Sequence, residues 1–343
     1  MIDFKKELFA NAYKRRIPLT ATIEIISQCN FRCVHCYIEN DCRKNALTYE
    51  EIVDFGNQII QMGCLYVVLT GGEVLLHPDF ERIYMFFVKK GVCVSVFSNG
   101  SLITPNIVEL FTKYPPRVVE ITMYGFHADT YESVTKLRAF EKVKENILLL
   151  KQKGINVLLK MFVMSENYQD FDNVCQFSEE NGIPFKYDSM IIAARDTEEI
   201  KHQISNECII DLAKKNRTSA AKYNEETYQV IMGSHNKRLF LCGAGRSSCW
   251  LKSSNCLRIC NFLNNTEFDL NRYTVQEAWE MMLPYIESKI SGSSECGKCR
   301  YRSYCDYCPA KSHAVYGKVD MELHPDIYCR VAKIRRGIQE NRE

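Results

Sequence analysis

The sequence lacks long apolar runs. Its longest apolar stretches are too short to span a bilayer, and the polar segment 1–16 lacks the apolar centre of a signal peptide. It also lacks a surplus of charge of either sign, since the formal net charge is +2. We therefore expect a cytoplasmic protein that binds neither a membrane nor nucleic acid. Its 343 residues suffice for one large domain and a smaller one.

Cysteine, by contrast, is abundant. The chain has 17 cysteines, an odd number, so at least one thiol cannot pair within the chain. In a reducing compartment such a content indicates metal or redox chemistry more than disulfides. Three cysteines lie at 29–36 and nine at 242–329. We interpret the five scattered ones as small buried apolar residues: Cys42, Cys64, Cys93, Cys175 and Cys208.

The first cysteine group follows an apolar, β-branched stretch, Thr20–Ile26. Its spacing is Cys-x-x-x-Cys-x-x-Cys, formed by Cys29, Cys33 and Cys36. Three thiolates on one loop can hold three irons of a cubane cluster, and no fourth cysteine follows at ferredoxin spacing. One iron is then open to a reacting ligand. The alternative is a zinc site completed by His35, but a ligand directly beside Cys36 would crowd the metal.

Strand-like and helix-like segments alternate over about residues 20–191. The predicted strands are Thr20–Ile26, Leu65–Leu69, Val92–Phe97, Val118–Met123, Asn156–Val163 and Phe185–Met190. The predicted helices begin after the Thr48/Glu51 capping box and continue as Asp79–Lys90, Pro105–Lys113, Phe140–Lys153 and Tyr168–Asn181. Glycines that end or follow these helices are Gly63, Gly91, Gly154 and Gly182. The pattern predicts an α/β fold, a partial (β/α)6 TIM-like barrel; the alternative is a doubly wound sheet.

Polar and glycine-rich turns follow the second, third and fourth predicted strands. In either architecture the carboxyl ends of parallel strands meet on one face, so these turns would lie beside the cysteine loop. A carboxylate such as Glu73 can bind an ammonium group, and glycines allow close approach of backbone to a ligand. The turn residues of interest are Gly71, Gly72, Glu73, Ser98, Asn99 and Tyr124.

These motifs together resemble the radical S-adenosylmethionine (radical SAM) superfamily. The resemblance rests on the cysteine triplet followed by Tyr37, on Leu69-Thr-Gly-Gly-Glu-Val-Leu-Leu-His-Pro-Asp-Phe80, and on Phe97-Ser-Asn-Gly100. The segment 120–135 is similar to the fourth-strand region of members that carry a C-terminal SPASM domain. The resemblance covers residues 20–190 and 242–330.

The resemblance implies specific chemistry. A [4Fe–4S] cluster on Cys29, Cys33 and Cys36 would bind S-adenosylmethionine through its open iron and cleave it reductively to a 5′-deoxyadenosyl radical, which abstracts hydrogen from a substrate. Cofactor contacts are implied for Tyr37 near the adenine, for Gly71, Gly72 and Glu73 at the methionyl amine, and for Ser98 and Asn99 near the ribose or carboxylate. Tyr124 and Lys160 are weaker candidates, and a solvated lysine is the alternative for Lys160.

The C-terminal cysteines have two interpretations. Cys296-Gly-Lys-Cys299 and Cys305-Asp-Tyr-Cys308 have the spacing of a zinc ribbon. The SPASM pattern instead implies two auxiliary [4Fe–4S] clusters. One would be held by Cys296, Cys299, Cys305 and Cys329, and the other by Cys242, Cys260, Cys308 and a fourth ligand. For that fourth ligand we favour Cys249 over Cys256, because Cys256 falls in a predicted hairpin, Trp250–Ile259.

The expected domains are a radical SAM barrel over 1–195, a helical connector over 196–240 and a SPASM domain over 241–335, which includes a helix at Val275–Lys289. Asp188, at the end of the sixth strand, is the candidate catalytic base, with Arg195 and Asp196 as other candidates to face the substrate. No metal role is assigned to the remaining histidines, which are His77, His127, His202, His235, His313 and His324.

The resemblance implies an oxidoreductase-type enzyme that modifies a ribosomally made peptide by crosslinking, thioether formation, epimerisation or oxidation. Only about twenty residues precede the first strand, so we expect a separate leader-binding protein or the barrel mouth to recognise the precursor. A flavodoxin- or ferredoxin-type protein would supply the electron. The alternatives are the same chemistry on a small molecule, such as a sugar alcohol or an aminoglycoside, and a non-catalytic zinc-stabilised binding module.

Overall fold

The structure is a computed structural model that describes residues 4–38, 45–191, 202–215, 239–240, 242–263, 265–289, 294–305 and 307–340. Arg195, Asp196, His235, Cys42 and most of the expected connector lie outside the described residues. Within the described part, no helix is long and apolar enough to cross a bilayer.

Six parallel strands occur in the order β6-β5-β4-β3-β2-β1. Their bounds are Thr20–Ile26 (β1), Tyr66–Gly71 (β2), Cys93–Ser98 (β3), Val118–Thr122 (β4), Val157–Phe162 (β5) and Phe185–Asp188 (β6). Each strand pairs with its neighbour in the sequence, so the sheet winds in one direction only. A doubly wound sheet would reverse its order at a switch point. The partial (β/α)6 barrel is therefore confirmed and the doubly wound alternative is wrong.

Helices connect and flank these strands. They are Phe4–Arg15 (α1), Tyr49–Gln61 (α2), Phe80–Lys89 (α3), Pro105–Lys113 (α4), Ala128–Thr135 (α5), Phe140–Gln152 (α6), Phe171–Glu180 (α7) and Asn206–Lys215 (α8). The predicted capping box forms: Thr48 Oγ1 accepts from the Glu51 N–H at 3.2 Å, and Glu51 Oε2 accepts from the Thr48 N–H at 2.7 Å. The four predicted C-terminal glycines all have positive φ. Helices α1 and α5 were not predicted.

The C-terminal part continues the same sheet. Strands Ser248–Leu251 (β7), Cys256–Arg258 (β8) and Glu267–Asp269 (β9) extend it in the order β1-β7-β8-β9. β7 pairs parallel to β1, whereas β8 pairs antiparallel to β7 and β9. The predicted hairpin is confirmed, and Asn255 in its turn adopts φ 56°. The expected boundary at 241 therefore does not separate two sheets.

The remaining helices are Val275–Met281 (α9), Leu283–Ile286 (α10), Glu295–Lys298 (α11), Pro309–Tyr316 (α12) and Ile327–Glu340 (α13). The single helix predicted at Val275–Lys289 is thus two helices, because Pro284 in the first turn of α10 cannot continue the backbone ladder of α9. Helix α13 packs against α8, and Tyr187 on β6 donates to the Leu212 carbonyl of α8 at 2.8 Å. Helix α8 therefore lies between β6, through Tyr187, and the C-terminal helix α13.

The two faces of the barrel strands differ in burial. On β5, Val157, Leu159 and Met161 are buried in the main apolar core, whereas the alternate residues Lys160 and Phe162 are only partly buried. Because burial alternates along β5, one face of the strand packs against the surrounding helices and the other faces the barrel interior. Charged side chains of β4, β5 and β6 meet on that interior face.

Candidate active site

The loop after β1 carries the three N-terminal thiols, which are all partly buried: Cys29, Cys33 and Cys36. The loop backbone is held by the end of α5, since the Arg32 N–H donates to the Thr135 carbonyl at 2.9 Å and the Val34 N–H to the Val134 carbonyl at 3.0 Å. Burial, together with the nearby Glu73 and Cys36, raises the pKa of the Cys29 thiol to about 11. A bound metal would offset this cost of a thiolate.

Gly71 and Gly72 at the end of β2 lie against the start of the cysteine loop. The Gly72 N–H donates to the Ile26 carbonyl at 2.8 Å. A Cβ on Gly71 would lie 2.2 Å from the Ile26 carbonyl oxygen, and one on Gly72 would lie 2.2 Å from that of Gln28. Backbone atoms cannot move aside as flexible side chains do. These glycines are thus required for packing of the loop against β2, whatever they contact in a cofactor.

Glu73 is fully buried and joins the ends of β2 and β3. Its carboxylate accepts from Ser98 Oγ at 2.7 Å, from the Asn99 N–H at 2.7 Å and from the Leu75 N–H at 3.2 Å. Burial raises the pKa of Glu73, and these donors oppose the rise. The carboxylate therefore has partners within the chain and positions the turn that carries Ser98 and Asn99. Its predicted contact with the methionyl amine stays a prediction.

Asn99 joins the β3 turn to the cysteine loop. Its Nδ2 donates to Asn30 Oδ1 at 2.9 Å and lies 3.9 Å from Cys29 Sγ, while its Oδ1 accepts from Ser101 Oγ at 2.7 Å. Asn30 Nδ2 in turn donates to Ser101 Oγ at 2.9 Å. Asn30, which follows the first cysteine, was not predicted, because its partner lies 69 residues away in the sequence.

Tyr124 follows β4 and contacts the same loop. Its ring packs against Phe31 at 5.9 Å and against Tyr131 at 5.8 Å between ring centroids. Burial raises the pKa of Tyr124, and the charge of Cys33 together with a hydrogen bond to it adds to the rise. Tyr124 is thus within reach of a cluster ligand, and its role towards a cofactor stays a prediction.

His35 presents a buried nitrogen. Its ring lies between Tyr124 and Phe162, with centroids 5.8 and 5.3 Å away. Nδ1 has no hydrogen-bond partner among the described residues, and burial lowers the pKa of His35 to about 4. A neutral ring with a free nitrogen is suited to receive a polar group of a bound molecule. The sequence signal for His35 as a site residue was its position between Cys33 and Cys36.

Tyr37 lies on the β1–β7 side of the site. Its ring meets Trp250 of β7 edge-to-face at 6.5 Å. Trp250 is paired in register with Thr22, so it shares a face with Glu24, whose carboxylate accepts from Ser253 Oγ at 2.6 Å. The indole Nε1 is buried and finds no acceptor in the described part of the chain. Trp250, not predicted as a site residue, therefore offers a hydrogen-bond donor beside Tyr37.

Lys160 belongs to a charged group on the interior face of β4, β5 and β6. Glu120 is buried, lies 2.6 Å from Lys186 Nζ and 3.9 Å from Lys160 Nζ, and is thus shared by two cations. Burial lowers the pKa of Lys160, and its ammonium stands 4.3 Å from the Phe162 ring centroid. Lys160 is therefore not a solvated surface lysine. Its function as a cofactor contact stays a prediction.

Asp188, the candidate catalytic base, ends β6 on the same side. Its charge acts on Lys160, and its Oδ1 accepts from the Met190 N–H at 2.9 Å. Its location suits contact with a substrate in the barrel interior, and its catalytic role stays a prediction.

The C-terminal thiols form two groups. In the first, burial together with the nearby Cys308 thiol raises the pKa of Cys242 to about 11 and that of Cys260 to about 12. In the second, burial raises the pKa of Cys296 to about 11, with further contributions from its three neighbours, Cys329, Cys305 and Cys299. Each of these thiols thus interacts electrostatically with thiols of the set that the resemblance implied for it, and the two ligand sets stay predictions.

Cys249 does not join either group. It lies on β7 in register with Ala21, is 3% exposed, and lies near the buried Cys64. Strand alternation directs it into the apolar core, on the face opposite to Trp250. The preference for Cys249 as a ligand stays a prediction, and this buried position on the core face of β7 does not favour it. Cys256 is partly buried on β8, where its Sγ contacts the Ser254 carbonyl at 3.6 Å.

The arrangement of these thiols is relevant to whether they could hold a zinc ion. Among the described residues, no three cysteine, histidine or carboxylate side chains converge closely enough to hold one metal ion. Zinc draws its ligands onto one atom at about 2.3 Å from each sulfur, whereas a cubane distributes its thiolates over separate irons. Thiolates are the ligands that iron–sulfur clusters take in proteins, so the donor chemistry of these groups fits [4Fe–4S] clusters.

The comparison with protein families agrees with this chemistry. Residues 23–178 match the family model described as the radical SAM superfamily. These residues are a radical SAM domain, and the findings support an enzyme that uses the cofactors of this superfamily, a [4Fe–4S] cluster and S-adenosylmethionine. The cysteine-rich C-terminal region is consistent with the SPASM type, whose members carry auxiliary clusters. The hypothesis of a non-catalytic zinc module is therefore not retained.

Two curated proteins match most of the chain. The antilisterial bacteriocin subtilosin biosynthesis protein AlbA of Bacillus subtilis is 25% identical over 319 residues, which cover 86% of this chain and 68% of AlbA. The AdoMet-dependent heme synthase of Methanosarcina barkeri is 23% identical over 341 residues, which cover 91% of this chain and 96% of the synthase. The similarity therefore extends well beyond the radical SAM domain.

Solved structures share the fold. The structure of anSMEcpe with bound AdoMet and Kp18Cys peptide superposes with a TM-score of 0.75 at 17% identity, over 95% of this chain and 98% of that one. SuiB of Streptococcus suis bound to the precursor peptide SuiA gives 0.67 at 16% identity, over 89% and 75%. At this identity the likeness shows the fold, including its C-terminal part.

Proposed function

We propose that this radical SAM enzyme abstracts hydrogen from a ribosomally made peptide. AlbA is named for bacteriocin biosynthesis, and SuiB and anSMEcpe were solved with peptides bound. All three are similar to this chain over most of its length. The peptide class is the substrate that these relatives support best.

The observation that carries the proposal is the convergence of the cysteine loop with the ends of β2, β3 and β4. When bound there, the cluster supplies the electron that cleaves the sulfonium of S-adenosylmethionine. The chain itself holds the loop: Glu73 and Asn99 fix the β3 turn against it, and Gly72 allows β2 to approach it. The charged interior face then provides polar contacts for a substrate, through Lys160 and Asp188.

The first auxiliary group has three mutually close thiols, Cys242, Cys260 and Cys308. With Cys249 in the core, a cluster on these three would keep one iron available unless Cys256 reaches it. That iron could bind a substrate thiolate, and the second group, with four cysteines, would serve electron transfer. We further propose a flavodoxin- or ferredoxin-type reductant and a separate leader-binding protein as partners.

The proposal is tested with anaerobically reconstituted enzyme, a low-potential reductant and candidate precursor peptides encoded near its gene. We expect cleavage of S-adenosylmethionine coupled to a change in the mass or stereochemistry of one peptide. Cleavage with every candidate peptide unchanged would contradict the peptide substrate. Replacement of Cys29, Cys33 and Cys36 by alanine should abolish cleavage while the C-terminal iron remains; loss of all iron would indicate misfolding instead.

A small-molecule substrate is the second candidate. The heme synthase of Methanosarcina barkeri, named for a small-molecule product, matches this chain over almost its whole length. The two candidates differ in the molecule that occupies the barrel interior and changes in mass. In the first it is a peptide, and in the second it is a metabolite. Incubation with a cell extract from which peptides have been removed separates them, because only the small-molecule reaction survives.

A further inference from the structure

The end of α5 presents a small exposed surface beside the cysteine loop. We call it the α5 patch, and its four exposed residues are Arg32, Lys136, Leu137 and Arg138. Arg32 directly precedes Cys33 in the chain, and its N–H donates to the Thr135 carbonyl at 2.9 Å. The patch therefore extends from solvent to the neighbour of a proposed cluster ligand.

Leu137 is held in its exposed position by a fixed turn. Its side chain is 43% exposed, whereas Thr135 is fully buried. The Leu137 N–H donates to Thr135 Oγ1 at 3.2 Å, and the Leu137 carbonyl oxygen lies 3.0 Å from the same hydroxyl. Lys136 between them adopts φ 66°. A single exposed leucine is ordinary in itself, so its meaning depends on the charges around it.

Two of the three cations in the α5 patch are not paired with a carboxylate. Within the described part of the chain, Arg32 donates to the carbonyls of Cys29 and Phe31, and Lys136 Nζ donates to the Ser133 carbonyl. Arg138 is different, because it lies 2.5 Å from Asp129 and 2.7 Å from Glu132. The patch thus combines two uncompensated positive charges with one exposed apolar side chain.

This composition fits a transient protein partner of negative charge. Electron-transfer proteins meet through small, weak interfaces, and complementary charges steer their encounter. Electron transfer also slows steeply with distance, so an electron donor for the cysteine loop must dock close to it. The α5 patch satisfies this requirement because its backbone is hydrogen-bonded to that loop at Arg32 and Val34.

We propose that the α5 patch is the docking surface for a small acidic electron-transfer protein of the flavodoxin or ferredoxin type. One electron leaves the reduced cofactor of that protein and enters the oxidised cluster on the cysteine loop, and no covalent bond forms or breaks in this step. The inference rests on the proposed reductant and on the cluster assignment, but on no particular substrate. The competing route is entry of the electron through the C-terminal thiol groups.

The test compares two reductants in anaerobically reconstituted full-length enzyme with S-adenosylmethionine and no peptide. A reduced bacterial flavodoxin must dock, whereas dithionite need not. The variant combines Lys136→Glu with Leu137→Gln and keeps Arg32, whose guanidinium contacts the cysteine loop. Formation of 5′-deoxyadenosine with flavodoxin should fall about tenfold at low ionic strength, while the rate with dithionite stays within about twofold.

A matched double variant is the control. Lys89→Glu with Leu148→Gln makes the same two exchanges at exposed positions on α3 and α6. Both rates should stay at the native level in this variant. Salt is a second control, because raising it from roughly 0.05 to 0.5 M should slow flavodoxin-driven cleavage by the native enzyme more than by K136E/L137Q.

Two kinetic outcomes would overturn the proposal. An unchanged flavodoxin-driven rate in K136E/L137Q would place electron entry elsewhere, and an equal fall with both reductants would make the turn a structural element only. If K136E/L137Q does not fold, carbodiimide cross-linking of the native chain to flavodoxin decides. It should join a flavodoxin carboxylate to Lys136 and not to Lys89, and absence of the Lys136 cross-link would reject the docking surface.

Discussion

Gly72 sets how closely β2 approaches the cysteine loop. In Gly72→Ala the new Cβ would meet two backbone carbonyl oxygens, those of Gln28 at 2.2 Å and Ser27 at 2.5 Å. The loop must then move away from β2, at a cost of roughly 1–3 kcal/mol for overpacking. We expect loss of S-adenosylmethionine cleavage and of about four irons per chain, as judged by iron analysis.

A matched glycine provides the control for that variant. Gly337 lies in α13, has no positive φ, and has no atom within 4 Å of the position that an added Cβ would take. Gly337→Ala should therefore keep iron and cleavage activity, and gain up to about 1 kcal/mol of helix stability. Equal iron loss in both variants would show that the Gly72 result reflects general instability.

Cysteine replacements distinguish ligands from core residues. Cys308→Ala should lower the auxiliary iron content, because Cys308 lies close to both Cys242 and Cys260. Cys249→Ala should leave iron unchanged, since its neighbour is the buried Cys64. Iron and sulfide analysis of anaerobically purified variants measures the difference. Iron loss in C249A with normal folding would return Cys249 to the ligand set.

At the scale of elements, the β7–β8 hairpin is attached to β1 by a buried carboxylate. Glu24 is 3% exposed and accepts from the Ser253 hydroxyl at 2.6 Å and the Ser253 N–H at 3.5 Å. Burial raises the pKa of Glu24. A raised folded-state pKa means that the folded state holds the proton more tightly, so this group favours folding at low pH and loses that contribution as pH rises through the raised pKa.

Glu24→Gln should therefore unfold at a higher temperature than the native enzyme at pH 8, because the amide keeps an acceptor for Ser253 and carries no buried charge. The advantage should shrink as the pH is lowered from 8 through the raised pKa, where Glu24 takes up a proton. Anaerobic thermal unfolding across this range measures it. Glu109→Gln, at an exposed position on α4, is the control and should show no such trend. If Glu24→Gln unfolded at a higher temperature than the native enzyme by the same margin at every pH, the role assigned to the Glu24 charge would be contradicted.

At the scale of the whole molecule, barrel and C-terminal region share one sheet. β7 covers the outer edge of β1, and Arg16 after α1 donates to Glu280 of α9 at 2.7 Å. Removal of residues 242–343 would expose the apolar edge strand β1, which is a template for aggregation. We expect a protein of residues 1–241 to be insoluble or aggregated in size-exclusion chromatography. A monodisperse truncated protein would show that the barrel folds alone.

Sequence reasoning predicted the strands closely because β-branched runs, capping residues and glycines are local signals, as at Thr48 and Gly154. It could not predict α5, whose eight residues lack a strong apolar stripe, or the pairing of β7 with β1, which is a contact over more than 200 residues. Spacing also does not reveal which face of a strand a side chain occupies, so the burial of Cys249 on the core face of β7 could not be predicted.

The sheet order also determines when the edge of β1 is covered during synthesis on the ribosome. The six parallel strands are complete once residue 188 has emerged, but the partner for the free edge of β1 lies about 60 residues later in the chain. At 5–20 residues per second, that edge stays uncovered for roughly 3–12 s. Chaperones or fast translation of this interval would protect the nascent barrel. Overexpression that outpaces such protection should yield inclusion bodies even of the full-length chain.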